Sequence, residues 1–93
     1  MTLPLPPEPR SGQTTLYGIS WLPRMIDKAR LQAAGTIELL DLEYPCPMDQ
    51  RLLHQLGIDA HTFQAIALQN PSDAGIVEAL TAKGAQWERA GEH

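Results

Sequence analysis

The spacing of apolar residues changes character near residue 20. Four of the eight prolines fall between Met1 and Pro9, followed by RSGQTT, and no apolar period runs through this stretch. Proline fixes φ and removes a backbone donor, so the segment neither starts a helix nor joins a central strand. Residues 1–15 are read as an extended proline-rich tail laid over the surface. The ordered body begins near LYGISWLPRMIDKARLQAAG, where Leu22, Met25, Ile26, Ala29 and Ala33 recur at helical spacing. Pro23 suits a first helical turn, and Gly35 stands where a positive-φ cap belongs. The opposite face of this first helix carries Arg24, Asp27, Lys28 and Leu31, with Arg24 and Asp27 spaced for an ion pair.

The segment GTIELLDLEYPCP is ambiguous by period. Ile37 and Leu39 flank Glu38, then Leu40, Leu42 and Tyr44 alternate with Asp41 and Glu43. It is read as an extended connection touching apolar groups on both sides, because Pro45 and Pro47 would end a helix early. A second helix is predicted over about Met48–Leu56, with Met48, Leu52 and Leu56 in one row, Leu53 beside it, and Gly57 as its stop. Asp59 caps a third helix over Ala60–Gln69, which carries Phe63, Ile66 and Ala67. NPSD resets the chain, with Asn70 or Ser72 capping a fourth helix that bears Ile76, Val77 and Leu80 before Gly84. Trp87 would anchor a last short turn.

The expected architecture is therefore all-α: a small bundle of four to five short helices, an extended proline-rich N-terminal tail, and one irregular or strand-like connection. Residues 16–93 form its single helical domain.

Three words in this order, WLPRMIDKAR, EYPCPMDQRLLHQLGID and Phe63 beyond it, resemble the bacterial domain of unknown function 5069 family. The likeness spans Leu22 to Leu80 and departs at Met48, where that family usually has leucine. It implies a small, mainly helical bacterial protein and carries no activity with it. It also marks Arg24, Asp27, Lys28, Cys46, Asp49 and Gln50 as the polar words of the family.

Composition narrows the function classes. The 93 residues are 43% apolar, enough for one core and too many for a disordered chain. Net charge is −4 with seven Lys plus Arg, which argues against nucleic acid and against an anionic membrane surface. The start lacks the basic and apolar regions of a signal peptide, and no run reaches the ~20 apolar residues of a membrane span. One cysteine excludes an internal disulfide and fits a reducing compartment. A cytoplasmic location is expected.

Candidate chemistry centres on Cys46. A thiol just before a helix meets unpaired N–H groups and the positive dipole end, which favours thiolate, and Arg51 one turn on would add to this. Against that, a free cysteine is commonly a small apolar filler. Arg24, Asp27, Lys28, Asp49 and Gln50 form a polar group between helices, able to line a small pocket or to cross-link them, and Asp49 already suits a helix N-terminus. Cys46, Asp49, His54, His61 and His93 match no metal-ligand spacing, so neither metal nor cofactor is expected. Glycine-rich phosphate loops, paired cysteines and nucleophile elbows are missing.

Two readings remain open. One is a non-catalytic module working through a protein partner or a second copy of itself. The other is a small enzyme or thiol-redox protein using Cys46 with Asp49 and Arg51. The stretch from Tyr44 to Asp59 reads chiefly as an architectural device, its prolines shaping the helix start and its leucines facing the core.

Overall fold

A computed structural model describes residues 8–85 and Trp87. Residues 1–7 of the predicted tail, and His93 among the metal candidates, lie outside the described residues. In chain order come an antiparallel hairpin of β1 (Thr15–Leu16) and β2 (Ile19–Ser20), α1 (Leu22–Ala34), a 3-10 turn (Ile37–Leu40), α2 (Pro47–Leu56), α3 (Ala60–Gln69) and α4 (Asp73–Ala82). The protein is mostly helical, with four helices among the described residues and one short two-stranded sheet.

The helix ends follow the predicted punctuation. Gly35 and Gly57 are left-handed at φ 74 and 77. The chain past each doubles back in the same way: Thr36 N–H donates to Leu31 O at 3.0 Å, and Ile58 N–H to Leu53 O at 3.1 Å. Ile58 is thereby buried against the helix it leaves. Asp59 accepts from Thr62 N–H at 2.7 Å and Ser72 from Gly75 N–H at 3.1 Å, so both caps use their side chains. Asn70 instead donates back to Ile66 O at 2.9 Å.

Three expectations need correcting. The hairpin was not foreseen. Tyr17 (φ 55) and Gly18 (φ 77) both turn left-handed, as a two-residue hairpin with matched strand twist requires, but each strand is too short to show a period. The connection after α1 is irregular rather than strand-like: Ile37–Leu40 wind into the 3-10 turn, ended by a left-handed Asp41 whose N–H donates to Glu38 O at 3.0 Å, and residues 42–46 enter neither helix nor strand. Finally, Leu22, Met25, Ile26 and Ala29 of α1 and Leu52, Leu53 and Leu56 of α2 are buried as expected, but the edges of both faces differ. Lys28 and Leu31 are buried and Ala33 is exposed, while Met48 stands 46% exposed instead of joining the leucine row.

α1 packs chiefly against α3, and α3 continues the contact to α4 and α2. Leu22, Met25, Ile26, Leu56, Phe63, Ile76 and Leu80 have no exposed surface. Each such side chain contributes roughly 1.5–3 kcal/mol relative to exposure. Tyr44 seals the connection, donating its hydroxyl to Ala60 O at 2.8 Å. Burial, with the charges of Asp49 and Asp59, pushes its phenol well above the usual range. No helix of the described residues is long and apolar enough to cross a membrane.

Candidate functional site

α2 starts where Pro47 forces Cys46 into extended backbone at φ −82, ψ 172, leaving Cys46 as N-cap and placing Asp49 at the third helical position. The two residues close a reciprocal capping box, in which Asp49 Oδ2 accepts the Cys46 N–H at 3.0 Å. α1 lies across this helix start and supplies Lys28. Its Nζ donates to Asp49 Oδ2 at 2.7 Å and to Cys46 Sγ at 3.1 Å. Trp21, just before α1, donates Nε1 to Asp49 Oδ1 at 2.7 Å. Its left-handed backbone (φ 75) turns the chain from β2 into α1.

The resulting cluster is closed. The Lys28 and Asp49 side chains are 3% and 0% exposed, and three donors occupy the two carboxylate oxygens. Among the described residues no buried side-chain polar atom lacks a partner. Desolvating both charges costs several kcal/mol per ion, which good geometry and extra hydrogen bonds offset. Cys46 and Trp21 keep partial exposure. Such a site holds two helices and a helix start in register. It offers an outside molecule the thiol, not the acid or the base.

A second, more open cluster lies elsewhere on α1. Arg10 clamps Asp27 through Nε (2.9 Å) and Nη2 (3.1 Å), and Asp73 of α4 through Nη1 (2.7 Å) and Nη2 (3.1 Å). Its own backbone N–H adds a 2.9 Å bond to Asp27. The three side chains are 35%, 23% and 35% exposed. The hydrogen bonds that Arg10 donates to Asp73 and Asp27 hold its guanidinium even more firmly protonated, and Arg10 keeps the Asp73 carboxyl below its ordinary range. A groove of about 360 Å³ beside it is lined by Glu8, Arg10, Asp27, Arg30 and Leu31. Its arginines are already engaged: Arg30 donates to Ala67 O and Asn70 O at 3.4 and 2.9 Å, and lies 3.9 Å from Asp27.

The polar group expected between the helices is thus divided. Lys28 and Asp49 meet, with Cys46. Asp27 belongs to Arg10, not to Arg24, which donates to Arg10 O at 3.2 Å and stacks 5.4 Å from the Trp21 ring centre. Gln50 donates to Pro45 O at 3.3 Å from an exposed position. Arg51 is exposed and bonds to no described residue, so Lys28 takes the place beside the thiol that Arg51 was expected to fill. His54 and His61 are exposed, and no three metal-ligating side chains converge among the described residues. Two contributors were missed: Trp21, whose position directly before a helix was the available signal, and Arg10, which lay inside the presumed tail.

Trp21 also lines a second groove of about 180 Å³ with Met48, Leu52, Arg51 and Gln55. Gly12 lines the same groove, and a Cβ added there would strike the indole. No curated protein matches this chain. The family described as Domain of unknown function (DUF5069) matches residues 6–92, nearly the whole sequence, and the chain belongs to that family.

Proposed function

We propose that the chain is a non-catalytic module that binds a protein segment in the groove beside Trp21. What carries this reading is the pairing of exposed Met48 and half-buried Trp21 with Arg51, a cation that engages no described residue. About 180 Å³ is below the roughly 300 Å³ of small-molecule pockets and suits a single side-chain anchor. The expected occupant is a segment bearing an apolar side chain with a carboxylate nearby, the latter answering Arg51. The closed state of the Lys28–Asp49 pair supports this reading over acid–base catalysis. We place the module in a reducing compartment, the cytoplasm, which suits its free thiol.

Selection of peptides from a randomised display library on the chain tests it. Enriched peptides should pair an apolar anchor with Asp or Glu, and Met48→Asp and Arg51→Glu should each weaken them at least tenfold. Both residues are exposed, so the variants should melt like the parent. No enrichment, or peptides that bind both variants undiminished, would end the reading. Light scattering distinguishes self-association: a dimer dispersed by Met48→Asp makes a second copy the occupant.

A second reading, thiol chemistry, is favoured by the 3.1 Å contact of Lys28 Nζ with Cys46 Sγ. It requires iodoacetamide to label Cys46 faster than free cysteine, and labelling no faster removes it.

A further inference from the structure

The Lys28 amine touches both the Cys46 thiol and the Asp49 carboxylate, an arrangement that the binding role does not use. We propose that a hydroperoxide converts Lys28 and Cys46 into a covalent sulfur–nitrogen cross-link between α1 and the start of α2. This goes beyond the binding role and does not depend on it.

Three observations carry the inference. Cys46 is only partly buried, and the proposed oxidant is a small one that approaches Sγ from that exposed side. It is the only cysteine, so an oxidised sulfur has no thiol of the same chain to meet. Lys28 Nζ stands 3.1 Å from Sγ, inside the roughly 3–3.5 Å range of a near-attack arrangement. Its 3% side-chain exposure and its bond to Asp49 keep it from swinging into solvent. Sulfenic acids are known to condense with a neighbouring nitrogen, and here that nitrogen is already in place.

The steps balance. The peroxide O–O bond breaks as an S–O bond forms; sulfur loses two electrons, and the peroxide leaves as water or an alcohol. Nζ then passes one proton to Asp49 Oδ2, 2.7 Å away, which frees its lone pair. That pair attacks Sγ, an N–S bond forms and the S–O bond breaks. The departing hydroxide takes a second Nζ proton as water, leaving a sulfenamide with one N–H. Two external thiols reverse the link, leaving as one disulfide and restoring the Cys46 thiol and the Lys28 amine. The link removes the ammonium that balances Asp49, so it also reports on a buried pair from which Trp21 hangs.

Treating the full chain with hydrogen peroxide and weighing it intact, then mapping its peptides, decides the matter. The expected product has lost two hydrogens, joins the peptides holding Lys28 and Cys46, and reverts in dithiothreitol. Lys28→Arg keeps a cation opposite Asp49 and should abolish the linked species, as should Cys46→Ser. The wild-type peptide map stands alone if Lys28→Arg fails to fold. Gain of one or two oxygens without a linked peptide overturns the proposal. So does a link that retains oxygen, or one that survives in folded Lys28→Arg.

Discussion

Asp27 and Lys28 are neighbours on α1, yet their ion pairs differ in almost every physical respect. Lys28 meets Asp49 where neither side chain is more than 3% exposed, and the pair shares its hydrogen bonds with an indole, a thiol and a backbone amide. Asp27 meets Arg10 at 23% and 35% exposure, in a forked clamp that water reaches. In the first, solvent cannot replace a lost partner; in the second it can. Chemically similar pairs on one helix should therefore answer mutation, salt and acid quite differently.

The largest effect should come from breaking the closed pair on one side. Lys28→Met leaves a buried, uncompensated carboxylate and should cost about 3–5 kcal/mol in a urea melt. Adding Asp49→Leu should restore much of that loss, because an apolar pair needs no desolvation, although the capping bond to Cys46 goes with it. A cost below about 1 kcal/mol for Lys28→Met would mean that water enters the cluster and the contrast fails.

Gly12→Ala reaches the same cluster indirectly. Its methyl would meet the six-membered ring of Trp21, and the Nε1 of the fused five-membered ring holds Asp49. Displacing it should cost about 1–3 kcal/mol, as overpacking usually does. It should also weaken any peptide bound beside Trp21. A neutral change in both melts and binding would show the indole free to shift.

Opening the second cluster should cost less. Arg10→Ala should lose about 1 kcal/mol, near the upper end for solvent-screened pairs, and the loss should shrink as salt is raised. Its pH signature has a definite sign. Asp73 has its folded-state pKa lowered, chiefly by the Arg10 hydrogen bond. Its contribution is whole above the unfolded value of about 3.9 and disappears as pH falls through the lower folded value. Arg10→Ala should flatten that acid limb of the stability profile, leaving Asp73 the charge of Arg30 and its place in the first turn of α4. An unchanged acid limb would place the acid-sensitive carboxylates elsewhere.

The same contrast explains what the sequence revealed. Helix ends were legible because proline and glycine act on their own neighbours, and Pro47, Gly35 and Gly57 do what their backbone chemistry requires. Asp49 at a helix start was legible for the same local reason. Lys28 was not: by helical projection it belonged with Arg24 and Asp27, and only a carboxylate 21 positions on makes its burial tolerable. Arg10 was hidden more deeply, since it sits in a segment read as a tail and its partners lie 17 and 63 positions away. The 3-10 turn was missed because a short apolar–polar alternation fits a tight turn as well as a strand.

The smallest effect is expected at Cys46. Cys46→Ser puts a preferred N-cap side chain where the weaker sulfur acceptor stands, so Oγ should accept the Asp49 N–H and keep the capping box. Against that gain, the shorter C–O bond draws the acceptor back from Lys28 Nζ and leaves a little space where sulfur packed. The two should nearly cancel, holding stability within about 0.5 kcal/mol of the parent, whereas Cys46→Ala loses the cap and should drop about 1 kcal/mol. Neither change should alter the acid limb set by Arg10 and Asp73, since that cluster shares no hydrogen bond with Cys46. A loss above about 1.5 kcal/mol for Cys46→Ser would show that the sulfur itself anchors Lys28 and that packing alone explains the cysteine. A near-neutral serine would show that stability does not require sulfur at this position, which fits the proposed oxidation of Cys46 to a sulfenic acid that the amine 3.1 Å away attacks.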